Sequence, residues 1–103
     1  NSGLSGTTTY YYHKSMFDLV LAQSIQAAMV QAGGLVNIGV RQANFFVVKN
    51  TTMPAALLEI GFISNPQEEL MVANPNFQQK MAQAIVAGID QFFGQAAKMR
   101  GDD

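Results

Sequence analysis

The stretch Ala55-Ala56-Leu57-Leu58-Glu59-Ile60 is small or apolar at every position but one. A short strand that is apolar on both faces is normally central in a sheet covered by helices, so this segment points to an α/β fold. It also makes Glu59 an anomaly. A charged group is rarely buried without a partner or a task, and no Lys, Arg or His stands between Met53 and Pro66. Two readings of Glu59 stay open. It is an edge-strand carboxylate turned to solvent or capping a nearby N–H. Or it is a functional carboxylate near the C-terminal end of a core strand, where open α/β sheets place their sites. Burial would then raise its pKa and suit it to general acid-base work.

The rest of the chain supplies helices and few strands. Residues 1–9 are rich in Gly, Ser and Thr and read as loop, with a strand end over Thr9 to Tyr12. Ser15 followed by Asp18 is a capping-box pattern. It predicts a helix over 16–32, with Phe17, Leu21, Ile25, Ala28 and Met29 facing the core and Gly33-Gly34 ending it. Leu35 to Ala43 reads as irregular. Asn44 to Lys49 reads as a strand by its aromatic and β-branched content, hydrogen-bonded to the strand at 55–60 and then antiparallel to it, since the link 50–54 is too short for a crossover; a parallel pair would need another strand between them. Asn65-Pro66 with Glu68 starts a short helix that ends before Asn74. Asn76 with Gln79 starts another that runs to about Phe93, with Phe77, Met81, Ile85, Gly88, Ile89 and Phe92 as its apolar stripe. These pieces make a narrow sheet. Its strands want neighbours that the chain does not obviously supply, so the fold is expected to be incomplete.

Composition narrows the function classes. Charged residues are only 13% of the 103 and the net charge is -1, with Lys and Arg scattered. No nucleic-acid partner is therefore indicated. There are no cysteines, which excludes disulfides, Cys-bound zinc and thiol catalysis. No apolar run approaches the roughly 18 residues of a membrane span. The start has neither the charged nor the apolar region of a signal peptide, and it lacks an initiator Met, as a piece of a longer chain would. His13 is the only histidine, too few for a zinc site of the usual kind, and reads as a surface residue. Tyr10 to Tyr12 line a groove or alternate between core and surface. Asn65 reads as a helix cap. Lys49 and Arg41 either meet an anionic group or solvate an edge.

Four segments, in order, resemble a known family. They are Gly6-Thr7-Thr8-Thr9-Tyr10-Tyr11; Ser15 with Leu21-Ala22 and Ile25-Gln26; Gly39-Val40-Arg41-Gln42-Ala43-Asn44-Phe45 through Val47-Val48-Lys49; and Met53 through Asn65, MPAALLEIGFISN. The last is the most specific. Together they are similar to the C-terminal half of the catalytic domain of zinc-dependent N-acetylmuramoyl-L-alanine amidases, the amidase type 3 group. The resemblance implies an α/β fold: part of a twisted, mostly parallel or mixed sheet flanked by helices. It implies one zinc, held by two His and one Glu that all lie upstream of the matched segments, so no metal ligand is expected in this chain and no tight zinc binding by it alone. It implies that Glu59 is the catalytic general base and acid, held in a dry strand end. The substrate would be peptidoglycan, and the bond the amide between N-acetylmuramic acid and L-alanine, in a bacterial envelope or secreted enzyme.

Two positions depart from the family pattern. Thr8 stands where a Glu is usual, and Ile38 where an Arg usually precedes Gly-Val. Residues 1–93 are thus expected to be the C-terminal portion of an amidase catalytic domain, partnered by a missing N-terminal half, with 94–103 a flexible tail. The competing expectation is a non-catalytic wall-binding or structural module derived from the same fold.

Overall fold

A computed structural model describes residues 4–101. The elements in chain order are β1 (Thr7–Tyr11), α1 (Met16–Gly33), β2 (Asn37–Gln42), α2 (Phe46–Lys49), β3 (Leu57–Ile60), α3 (Pro66–Ala73) and α4 (Pro75–Met99). The sheet has the order β2-β1-β3, with β2 parallel and β3 antiparallel to β1. It is therefore a mixed sheet flanked by helices. Among the described residues β3 has one strand neighbour, β1.

Helix α1 begins as its sequence predicts. The Ser15 hydroxyl accepts from the Phe17 N–H, and the Asp18 carboxylate accepts from the Ser15 N–H. Gly34 ends the helix at φ 73°, the left-handed conformation that glycine takes at least steric cost. The core forms where Leu21, Ile25 and Met29 of α1 meet Phe77, Met81, Phe92 and Ala96 of α4, with Phe17, Leu58, Ile60, Ile85 and Ile89 packed around them. Gly88 permits the close approach, since a Cβ there would lie 2.9 Å from both the Ile25 Cα and the Ser24 carbonyl oxygen.

Strand β1 is the centre of the three, and the polar side chains on it are satisfied. Thr7, Thr8 and Thr9 are all buried. The Gln26 amide of α1 donates to the Thr7 carbonyl and to the Asn37 side chain, and accepts from the Thr9 hydroxyl. One glutamine thus ties α1 to β1 and β2.

The structure corrects several expectations. The expected loop over 1–9 gives way to strand from Thr7 onward; residues 1–3 lie outside the described residues. The irregular stretch 35–43 contains β2, because β1 offers a ladder that outweighs the poor strand propensity of Asn37 and Gly39. The expected strand 44–49 is instead the short helix α2. There Val48 is buried and its carbonyl accepts from the Lys14 ammonium, so tertiary contacts override β-branched composition. Hence β3 cannot pair with it and pairs with β1 instead. The last helix is capped by Asn74 with Pro75 in its first turn, not by Asn76. It continues to Met99, with Ala96 buried, so residues 94–99 are helix rather than tail. Residues 102–103 of that expected tail lie outside the described residues.

Candidate active site

The register fixes which side chains share a face. Thr7 pairs with Ile60 and Thr9 with Leu58, and these lie on the face that α1 and α4 cover. Thr8 pairs with Glu59 and Tyr10 with Leu57, so these four lie on the opposite face. Across the other ladder Thr8 pairs with Gly39 and Tyr10 with Arg41. Glu59 is exposed there, and so is Arg41. In this chain Glu59 is thus exposed rather than enclosed in the expected dry strand end, while Thr8 beside it is buried. Glu59 is the only carboxylate in the three strands. Thr8, its cross-strand neighbour, is turned to the Gly39 carbonyl, to which its hydroxyl donates at 2.6 Å.

The remaining candidates scatter. His13 is exposed, its ring edge-on to Tyr11 at 6.4 Å between centroids. The three tyrosines alternate, with Tyr11 buried and Tyr10 and Tyr12 half-buried. Tyr10 makes an edge contact with Phe45 at 5.4 Å, and the Lys49 ammonium sits 5.8 Å above the Tyr12 ring. Asn65 is the N-cap of α3, accepting from the Gln67 and Glu68 N–H groups. Among the described residues no three His, Cys, Asp or Glu side chains are grouped to hold a metal.

Two carboxylates that the sequence reading treated only as helix-start residues turn out to flank β3. Before it, Asp18 accepts from the Ala55 N–H at 3.1 Å and from the Lys14 ammonium at 2.7 Å. Burial pushes the Asp18 carboxyl up, but the Lys14 ammonium and the Ala55 and Ser15 N–H groups together hold it below the usual aspartate value. After β3, buried Glu68 accepts from the Phe62 and Gly6 N–H groups. The signal in both cases was an acidic residue three positions after an N-cap.

The fold is one part of an α/β domain with its candidate carboxylate exposed on the face opposite α1 and α4. The chain belongs to the N-acetylmuramoyl-L-alanine amidase family, which it matches over residues 1–91. It is 40% identical over 93 residues to "Probable cell wall amidase LytH" of Staphylococcus aureus, covering 90% of this chain and 31% of that protein. Its fold superposes on an N-acetylmuramoyl-L-alanine amidase from Clostridium difficile 630 with a TM-score of 0.86 and 30% identity, over 91% of this chain and 51% of that one. The catalytic domain of CwlV, an N-acetylmuramoyl-L-alanine amidase from Bacillus (Paenibacillus) polymyxa var. colistinus, gives 0.84 and 37% over the same shares, 91% and 51%. The chain thus spans about half the length of these solved relatives.

Proposed function

We propose that the protein containing this chain hydrolyses the amide bond between N-acetylmuramic acid and L-alanine in peptidoglycan, with Glu59 as general base and then general acid. The observation that carries this reading is the placement of Glu59, the only carboxylate of the three strands, exposed on the open sheet face of an amidase-family chain. In this reading the Glu59 carboxylate accepts a proton from the water that attacks the lactyl carbonyl carbon. As the C–N bond breaks, it returns that proton to the amine of L-alanine, and the water oxygen stays in the new carboxyl group.

The open face and the free edge of β3 support a second element of the proposal. Further chain, from the upstream half of the domain, lies against them. Beside β3 an apolar trough opens between Met53, Pro54, Ala56, Leu58, Ile89 and Phe93, and the solved relatives are about twice as long as this chain. Zinc enters the proposal only for the complete domain, held by residues outside this chain. Action in the bacterial envelope, or after secretion, follows from the substrate.

The test is Glu59→Gln in the full-length protein, assayed for release of stem peptide from purified peptidoglycan at matched metal content. The variant keeps shape and loses basicity. Turnover should fall by about 10² or more, since general acid-base catalysis typically contributes 10²–10⁴. Turnover within about twofold of the parent would remove Glu59 from the chemistry. The same assay addresses a non-catalytic wall-binding module, favoured by Thr8 lying directly across from Glu59 where the family pattern has a Glu. Such a module would bind peptidoglycan and release no stem peptide even as the unmutated protein.

A further inference from the structure

Strand β3 is only four residues long, and among the described residues it pairs only with β1, at four positions, with Leu58 and Ile60 packed on the core face. A slip of one residue would carry Glu59 from the open face to the face packed on α1. Besides the ladder, the core packing and the Asp18 bond to the Ala55 N–H at the entrance, the structure supplies a further constraint at the strand's exit. Gly61, at φ 75°, turns the chain away, and its N–H donates to the Gly6 carbonyl at 2.8 Å. Beneath this turn lies the Glu68 carboxylate, 4% exposed. One oxygen accepts from the Phe62 N–H at 3.0 Å. The other accepts from the Gly6 N–H at 3.0 Å and from the Ser5 hydroxyl. Among the described residues no cation pairs with it. All of these donors lie outside its own helix, on the segment leaving β3 and the segment entering β1.

We propose that Glu68 is the positioning residue for Glu59: its buried carboxylate pins the exit of β3 to the entrance of β1 and so holds Glu59 opposite Thr8 on the open face. The inference rests on the catalytic reading of Glu59. Glutamine at 68 would keep the volume but place an amide N–H₂ against backbone N–H donors. Two donors would then face each other, and the clamp would loosen without leaving a cavity.

The test uses the full-length protein and four variants: Glu68→Gln, Ser5→Ala, Glu59→Gln and, as a stability control, Asn74→Ala. Asn74 caps α4, and among the described residues no hydrogen bond joins its side chain to either strand end. Three readings are taken for each: kcat and KM on a soluble muropeptide, the pH profile of kcat, and hydrogen exchange at amides 57–62. Glu68→Gln should lower kcat by about tenfold or more, because a misplacement near 1 Å can cost 10²-fold. It should leave KM within about twofold, shift the acid limb of the kcat profile, and speed exchange across 57–62. Ser5→Ala should move the same readings in the same direction by roughly threefold or less, since it removes one donor of the set. Asn74→Ala should leave all three unchanged. If Glu68→Gln does not fold, Ser5→Ala against Asn74→Ala decides the matter by the same readings. Normal kcat and unchanged exchange at 57–62 in the deciding variant, with Glu59→Gln inactive, would overturn the inference alone. An active Glu59→Gln would instead overturn the catalytic reading, and the positioning claim would fall with it.

Discussion

Two helix starts in this chain carry the same signature and do different work. Ser15 with Asp18 opens α1, and Asn65 with Glu68 opens α3; in each, a capping residue is followed three positions later by a buried carboxylate. Asp18 turns back on its own helix. It accepts from the Ser15 N–H and pairs with Lys14, four residues before it, and only the Ala55 N–H is a distant donor. Glu68 does the reverse, and among the described residues its side chain accepts only from Ser5, Gly6 and Phe62. One corner is an ion pair that also holds the entrance to β3. The other, among the described residues, is a carboxylate held at its exit by N–H and O–H donors with no cation. An acidic residue at this helix position can serve as a local cap or as a tertiary clamp, and the donors the fold brings near make the choice.

The largest effect should separate the corners by stability. Asp18→Ala strands the Ala55 and Ser15 N–H groups and leaves the Lys14 ammonium without its carboxylate. Each unsatisfied buried donor costs about 1–3 kcal/mol, and Lys14 is 21% exposed, so water recovers part of its loss. We expect about 3 kcal/mol of destabilisation by urea unfolding of the full-length protein. Glu68→Ala strands the Gly6 and Phe62 N–H groups with no charge left behind, and should cost about 2 kcal/mol. If Glu68→Ala proves the costlier, the ion pair at Asp18 is not the stronger anchor and the comparison inverts.

Lys14→Met sharpens the contrast by turning the first corner into a copy of the second, a buried carboxylate with no cation. Asp18 sits below its ordinary value in the folded protein, so its contribution is present above the unfolded aspartate pKa, near 3.9. It is lost as pH falls through the lower folded value. Removing Lys14 takes away both a hydrogen bond and a charge that hold that value down, while burial continues to push it up. The loss should then begin at higher pH, and the acid-unfolding midpoint should rise. Stability near pH 7 should fall by about 1–2 kcal/mol, the scale of a hydrogen bond to a charged group. An acid midpoint that does not move would show that Lys14 contributes only through its bond to the Val48 carbonyl.

How much of this was legible before the structure depends on how local the cause was. The α1 cap, its glycine end, and the stripes of α1 and α4 follow from spacing along one helix, and they stand where the sequence places them. The Glu59 segment is legible as a strand and as the amidase-like motif. Its exposure is not, because that is set by which elements cover each face of the sheet. The segment 44–49 reads wrongly for a related reason. Its aromatic and β-branched residues suit a strand, but Lys14, from another part of the chain, holds its end as a turn of helix. Glu68 is visible only as a helix-start residue, since its partners are 62 and 63 residues away for Gly6 and Ser5. Nothing in a local pattern announces donors at that distance.

The smallest effect decides whether Glu68 acts through its helix or through the strands. Asn65 caps α3 by accepting from the Gln67 and Glu68 N–H groups, and its amide donates to the Leu4 carbonyl. Asn65→Ala removes the cap but leaves the Glu68 carboxylate and its distant donors in place. Loss of an N-cap costs about 1 kcal/mol. Ser15→Ala, which removes the bond from the Phe17 N–H and the hydroxyl's own bond to Asp18, should cost about the same, with the Ser15 N–H still held by Asp18. On the clamp reading Asn65→Ala stays clearly below Glu68→Ala in cost, and exchange at amides 57–62 stays slow. Equal costs, with equally fast exchange at 57–62, would mean that the carboxylate matters only as far as α3 is formed. The two helix starts would then be the same device used twice.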